Sequence, residues 1–108
     1  MRLFKAKIKW KNPENIPPVL KSEYRDKKNA YTPIIELENQ YPNPIFIENQ
    51  SNYPLWSANV FNDIIEGNES ISFVSYLVEN APFELLKKGV KFRLYEGASI
   101  VARGQIIG

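Results

Sequence analysis

Three groups of residues in this 108-residue chain have the types and spacing to do chemistry or to hold a charged ligand. Lys5, Lys7 and Lys9 recur at every second position, and Arg93 and Arg103 stand near the other end of the chain. Glu36 with Glu38, and Glu66 with Glu69, are close pairs among the twelve carboxylates. Tyr24, Arg25, Tyr53, Trp56 and Phe83 are the residues best suited to anchor an interface, because aromatic rings and guanidinium groups dominate binding energy where they are desolvated. The chain has no histidine and no cysteine. Imidazole bases, thiolate nucleophiles, disulfides and zinc sites built on these ligands are therefore excluded. A carboxylate pair performs acid and base catalysis when its two members sit in different environments beside a cleft. Pairs at these spacings fit a solvated strand face or turn better, so the expectation is a protein that is not an enzyme and needs no cofactor.

The elements that must position these groups read as strands. Phe4, Ala6, Ile8 and Trp10 alternate with Lys5, Lys7, Lys9 and Lys11, a period of two that gives one buried and one charged face. The clean register places Trp10 in the core. Prolines at 13, 17 and 18 end this strand in a loop, since each removes a backbone donor. Residues 19–29 are polar and basic and form a connection or a short helical turn. A strand is expected over residues 31–38, a short one around Ile45-Phe46-Ile47 between prolines, and another over residues 55–61 carrying Trp56, Ala58 and Val60. Residues 63–69 read as a turn, with Gly67 at a positive φ. Residues 71–78 are apolar on both faces, and an uncovered face there would let two copies form a homodimer. Residues 82–88 form a helical turn or tight loop ending at Gly89.

The last twenty residues, GVKFRLYEGASIVARGQIIG, make a hairpin. Val90, Phe92 and Leu94 form one face, Glu96 and Gly97 reverse the chain, and residues 100–107 return beside it. Gly104 inside the returning strand marks a close approach of two backbones or a barrel corner. Six or seven antiparallel strands, tight turns and almost no helix give an all-β fold, a small barrel, in one domain over residues 1–108.

Charge is segregated along the chain although the formal net charge is only +2. Residues 1–35 carry nine Lys or Arg against three acids, residues 36–84 carry eight acids and no Lys or Arg, and residues 85–108 carry five against one. If the two ends of the chain are neighbours in the sheet, Lys5, Lys7, Lys9, Arg93 and Arg103 form one basic stripe, with Tyr95 or Trp10 as stacking surfaces for a base. The same lysines on a strand face also resist edge pairing. The amino-terminal stretch has no seven-residue apolar run, so neither a signal peptide nor a membrane span is expected and the cytoplasm is the default place.

The final hairpin resembles the end of the third domain of translation elongation factor Tu. Gly89, Phe92, Glu96, Gly97, Val101 and Gly104 match it in register without a gap, and Ile106 lies where the family has another branched aliphatic. Phe4-Lys5-Ala6-Lys7-Ile8, Tyr24-Arg25, Glu66-Gly67-Asn68 and Pro82 are weaker echoes in the same order. The resemblance implies a six-stranded antiparallel barrel that works by binding other molecules, with Phe83 near an interdomain contact. In the family this domain meets protein partners and aminoacyl-tRNA. This chain departs from the family where tRNA is held: Glu14-Asn15-Ile16-Pro17-Pro18 replaces a loop with Arg and His, and Ala98 and Ser99 replace a glycine and an arginine. No GxxxxGK[ST] phosphate loop occurs, so no nucleotide is expected. The leading expectation is thus a protein-binding or scaffolding module, and the alternative is RNA or tRNA bound on the basic strand face.

Overall fold

The computed structural model describes residues 2–38 and 55–108. Its strands are β1 (Phe4–Trp10), β2 (Ile34–Leu37), β3 (Trp56–Glu66), β4 (Glu69–Tyr76), β5 (Lys91–Glu96) and β6 (Ser99–Ile106). They close into an antiparallel barrel in the order β1-β4-β3-β2-β5-β6, so the all-β barrel read from the alternation is the fold observed. Closure removes the sheet edges that would otherwise invite another strand.

Each strand sends alternate residues inward. In β1 these are Ala6, Ile8 and Trp10, all at most 2% exposed, and in β5 Phe92 and Leu94, both fully buried. Val74 and Tyr76 of β4 and Ala102 and Ile106 of β6 fill the same interior. Burying a side chain of this size contributes about 1.5–3 kcal/mol before the entropy of ordering it is counted. Gly104 also points inward, because it is the cross-strand partner of both Phe92 and Ile8. The Phe92 ring lies on it so closely that an added Cβ would stand 2.3 Å from Cζ. The close approach expected at Gly104 is therefore between a ring and a backbone.

The two tight hairpins are alike. Gly67-Asn68 joins β3 to β4 with Gly67 at φ 62°, and Gly97-Ala98 joins β5 to β6 with Gly97 at φ 58°. Both glycines occupy the left-handed region where a Cβ is costly. The turn expected over residues 63–69 is shorter in the structure, since β3 continues through Glu66. The reason is a bulge: Asn62 pairs with Ser72 and Ile64 with Ile71, leaving Asp63 as the extra residue. One inserted residue breaks the alternation and hides the strand from a period-two reading. The strand expected over residues 31–38 is reduced to β2, with Tyr31 held by an isolated bridge to Val60 and Pro33 lying before the first paired residue. The strand expected around residues 45–47 lies outside the described residues.

Not every inward position is apolar. The indole N–H of Trp10 donates to Ser70 Oγ at 2.9 Å, Ser70 shares a 2.8 Å hydrogen bond with Ser72, and Ser72 donates to Asn62 Oδ1 at 2.6 Å. Asn62 in turn donates to the carbonyl of Pro17 at 2.7 Å. A buried indole needs an acceptor, and this chain of hydroxyls and amide supplies one while tying the loop after β1 to β3.

Outside the barrel, residues 16–31 run along β3. Leu20 N–H donates to Asn62 O at 3.0 Å, and Arg25 caps the arrangement. Its guanidinium lies 4.8 Å from the Phe73 ring centroid, donates to Leu20 O at 2.9 Å, and pairs with Asp63 at 2.5 Å. Phe61 faces outward by parity yet is 1% exposed, and its cross-strand partner is this same Phe73. The bulged Asp63 is thus what aims a carboxylate at Arg25.

Candidate functional site

Cross-strand register decides which charges share a face. In an antiparallel pair, opposed residues project to the same side about 4.5–5.5 Å apart. Lys9 opposes Arg103 across β1 and β6, and Arg103 opposes Arg93 across β6 and β5. The row ends in acids on both sides, because Lys9 also opposes Glu69 of β4, and Arg93 opposes Glu36 of β2. Around the barrel wall the sequence of side chains is therefore Glu69, Lys9, Arg103, Arg93, Glu36. Two residues along, Lys7 opposes Gln105, which opposes Lys91. The stripe expected if the chain ends were neighbours is brought together by the β1–β6 pairing.

The members are not equivalent. Arg93 is the most enclosed: its Nη2 pairs with Glu36 Oε1, its Nε stands 3.9 Å from Glu38, and its side chain is 33% exposed. Lys7 Nζ is 3.7 Å from Glu69. Lys5, Lys9, Lys91 and Arg103 are exposed and make no ion pair among the described residues. A shallow depression of about 350 Å³ lies on one side of Lys9 and Arg103, bordered by Lys11, Asn68 and Ile100. Another, of about 210 Å³, lies on the other side against Lys7, Lys91 and Gln105. Lys9 and Arg103 border both.

Of the two aromatics offered as stacking surfaces, Trp10 is closed to a base and Tyr95 is partly covered. Trp10 is 2% exposed with its N–H committed to Ser70. Tyr95 is part-buried and donates its hydroxyl to Glu36 at 3.2 Å. Burial, and then the neighbouring Glu36 charge, raise the Tyr95 phenol above its ordinary range. Glu96 at the hairpin tip accepts a 2.5 Å hydrogen bond from Tyr31, whose ring packs 5.9 Å from that of Trp10. Burial and this carboxylate push the Tyr31 phenol well upward, so it remains a donor. Glu96 therefore ties the hairpin to the residue that bridges β3.

Of the residues expected to anchor a protein partner, Phe83 and Trp56 pack against the same ring, that of Tyr76. Phe83 stacks on Phe4 and meets Tyr76 edge-on, with ring centroids 6.3 and 5.2 Å apart, and Arg2 lies 5.1 Å above it. Trp56 meets the same Tyr76 at 6.0 Å. Arg25 is occupied by Asp63 and Phe73, as described above. Tyr24 is 54% exposed, and Tyr53 lies outside the described residues. The serines and Asn62 of the interior network were not legible as a group, because Ser70, Ser72 and Asn62 read as strand or turn polar residues until the register brings them under Trp10.

Among the described residues no group of three or more acidic, His or Cys side chains could hold a metal ion, and no helix is long and apolar enough to cross a membrane. The described residues form a small antiparallel barrel with a basic wall on β1, β6 and β5. No protein-family model, curated protein or solved structure matches the chain.

Proposed function

We propose that the chain is a non-catalytic binding module that takes the phosphate backbone of RNA on the outer face of β1, β6 and β5. The observation that carries this reading is the row Lys9, Arg103, Arg93 on three neighbouring strands in direct register. Like charges directly opposed on a sheet destabilise it. Among the described residues Lys9 and Arg103 make no ion pair, so an anion across the two would relieve a repulsion the fold otherwise carries. The resemblance of the last hairpin to elongation factor Tu supports RNA as that anion, with the barrel a cytoplasmic relative of the factor's third domain. A six-stranded closed barrel agrees with that relation. The match to the family's tRNA loop is poor, so the contact is assigned to the strand face.

A fluorescein-labelled RNA hairpin titrated with the protein tests this. Anisotropy should rise to saturation at low salt, and log affinity should fall linearly with log salt as counter-ions are released. Absence of saturable association at low salt refutes the reading.

A second reading, a protein-binding or scaffolding module, draws on a separate observation. Val19, Tyr24 and Ile64 are 49%, 54% and 52% exposed on the side of the Arg25–Asp63 pair. Exposed apolar groups around an ordered arginine suit a protein contact.

A further inference from the structure

The row of charges around the barrel wall begins and ends with a carboxylate, and each acidic end holds a cation. Glu36 and Glu38 hold Arg93, and Glu69 holds Lys7. A guanidinium paired with carboxylates has its charge partly neutralised and one edge of its fork committed, and the carboxylates repel an incoming phosphate. We infer that Glu36, Glu38 and Glu69 are the specificity-limiting residues of this face: they withdraw Arg93 and Lys7 and leave an anionic ligand the opposed pair Lys9 and Arg103, with Lys5 and Lys91 beside them. The inference rests on the polyanion reading above and goes beyond it by naming which cations do not take part.

Other groups around Arg93 do not replace this restraint. Its neighbours in register are Arg103, which repels it, and Glu36. Tyr95, two residues along β5, donates to the same Glu36 Oε1 and so helps fix the carboxylate that holds Arg93. On the other flank, Glu69 opposes Lys9 in register while its carboxylate reaches Lys7. The basic wall is consequently narrower than its residue count: six cations lie on the three strands' outer face, and two are spoken for. The ligand that fits is one presenting a short run of phosphates, and longer duplexes gain nothing from the flanks.

The test is a gain of binding, which a damaged fold would not give. With the same labelled RNA hairpin, the double variant Glu36→Gln, Glu38→Gln should bind about tenfold tighter at low salt, the worth of one added charge-assisted contact. Its salt slope should steepen by about 0.7–0.9 for the one phosphate newly met. Glu69→Gln should act in the same direction through Lys7. Arg93→Gln in the parent should leave the slope unchanged, whereas Arg103→Gln should lower it, with thermal melting curves confirming that each variant is folded. Equal losses from Arg93→Gln and Arg103→Gln, or unaltered affinity in both glutamine-for-glutamate variants, would overturn the inference while leaving the face a polyanion binder. A parent protein that shows no saturable association would instead remove the underlying reading.

Discussion

Gly104→Ala should cost the barrel about 3 kcal/mol and lower its melting temperature by roughly 12–24 °C. The new Cβ would stand 2.3 Å from Cζ, 2.7 Å from Cε2 and 3.0 Å from Cε1 of Phe92, closer than such atoms can approach. Phe92 is fully buried in the core, so the ring has no solvent side to turn toward. Gly104 also opposes Ile8, which leaves β6 pinned between β1 and β5 and unable to move out. Relief must come from the ring itself. Phe92→Leu should therefore rescue part of the loss in the Gly104→Ala background although it is destabilising alone, a coupling read from a double-mutant cycle. Superimposable melting curves for parent and Gly104→Ala would show that the packing described at this crossing is wrong.

The second large effect is on binding. Replacing Lys9 and Arg103 together by glutamine should weaken association with the labelled RNA hairpin by about a hundredfold or more at low salt, at about 1.5–3 kcal/mol for each charge-assisted contact. The salt slope should fall by about 1.4–1.8 for two phosphates no longer met. Stability should move the other way or stay level. Lys9 and Arg103 are directly opposed like charges, so their removal takes repulsion out of the sheet. A variant that melts no lower than the parent yet loses RNA separates the role of these side chains in binding from any role in folding. Unchanged affinity would mean that the exposed cations are only a solvated strand face.

What could be read from the sequence followed from periodicity. Residues 4–10 alternate without interruption, and the structure buries Ala6, Ile8 and Trp10 as that pattern requires. Gly97 and Gly67 were legible because a two-residue hairpin demands a positive φ, and both have it. β3 was harder. Its alternation slips at Asp63, and residues 58–62 are buried on both parities, with Arg25 from the segment after β1 lying over Phe73, the cross-strand partner of Phe61. No local pattern reports that a distant loop covers the outside of a strand.

The candidate site was legible in its residues and not in its balance. Segregated charge and the paired ends of the chain suffice to expect Lys5, Lys7, Lys9, Arg93 and Arg103 together. That Arg93 is held by Glu36 and Glu38, and Lys7 by Glu69, depends on which strands are neighbours in the closed order, and β2 beside β5 could not be read from spacing. The interface anchors fared differently for a related reason. Trp56, Phe83 and Arg25 are large and versatile enough to pack inward or to serve a surface, and the structure uses each against a named neighbour: Tyr76, Phe4 and Phe73.

Whether the outer wall of β1, β6 and β5 is the working surface is decided by an amide-shift NMR titration of the isotope-labelled protein with an unlabelled RNA hairpin. Run at low and at moderate salt, it should show shifts confined to residues around Lys9 and Arg103, smaller at Arg93, and diminishing as salt rises. A silent spectrum at both salts, or shifts gathered around Tyr24 and Ile64 instead, would contradict that role of the wall.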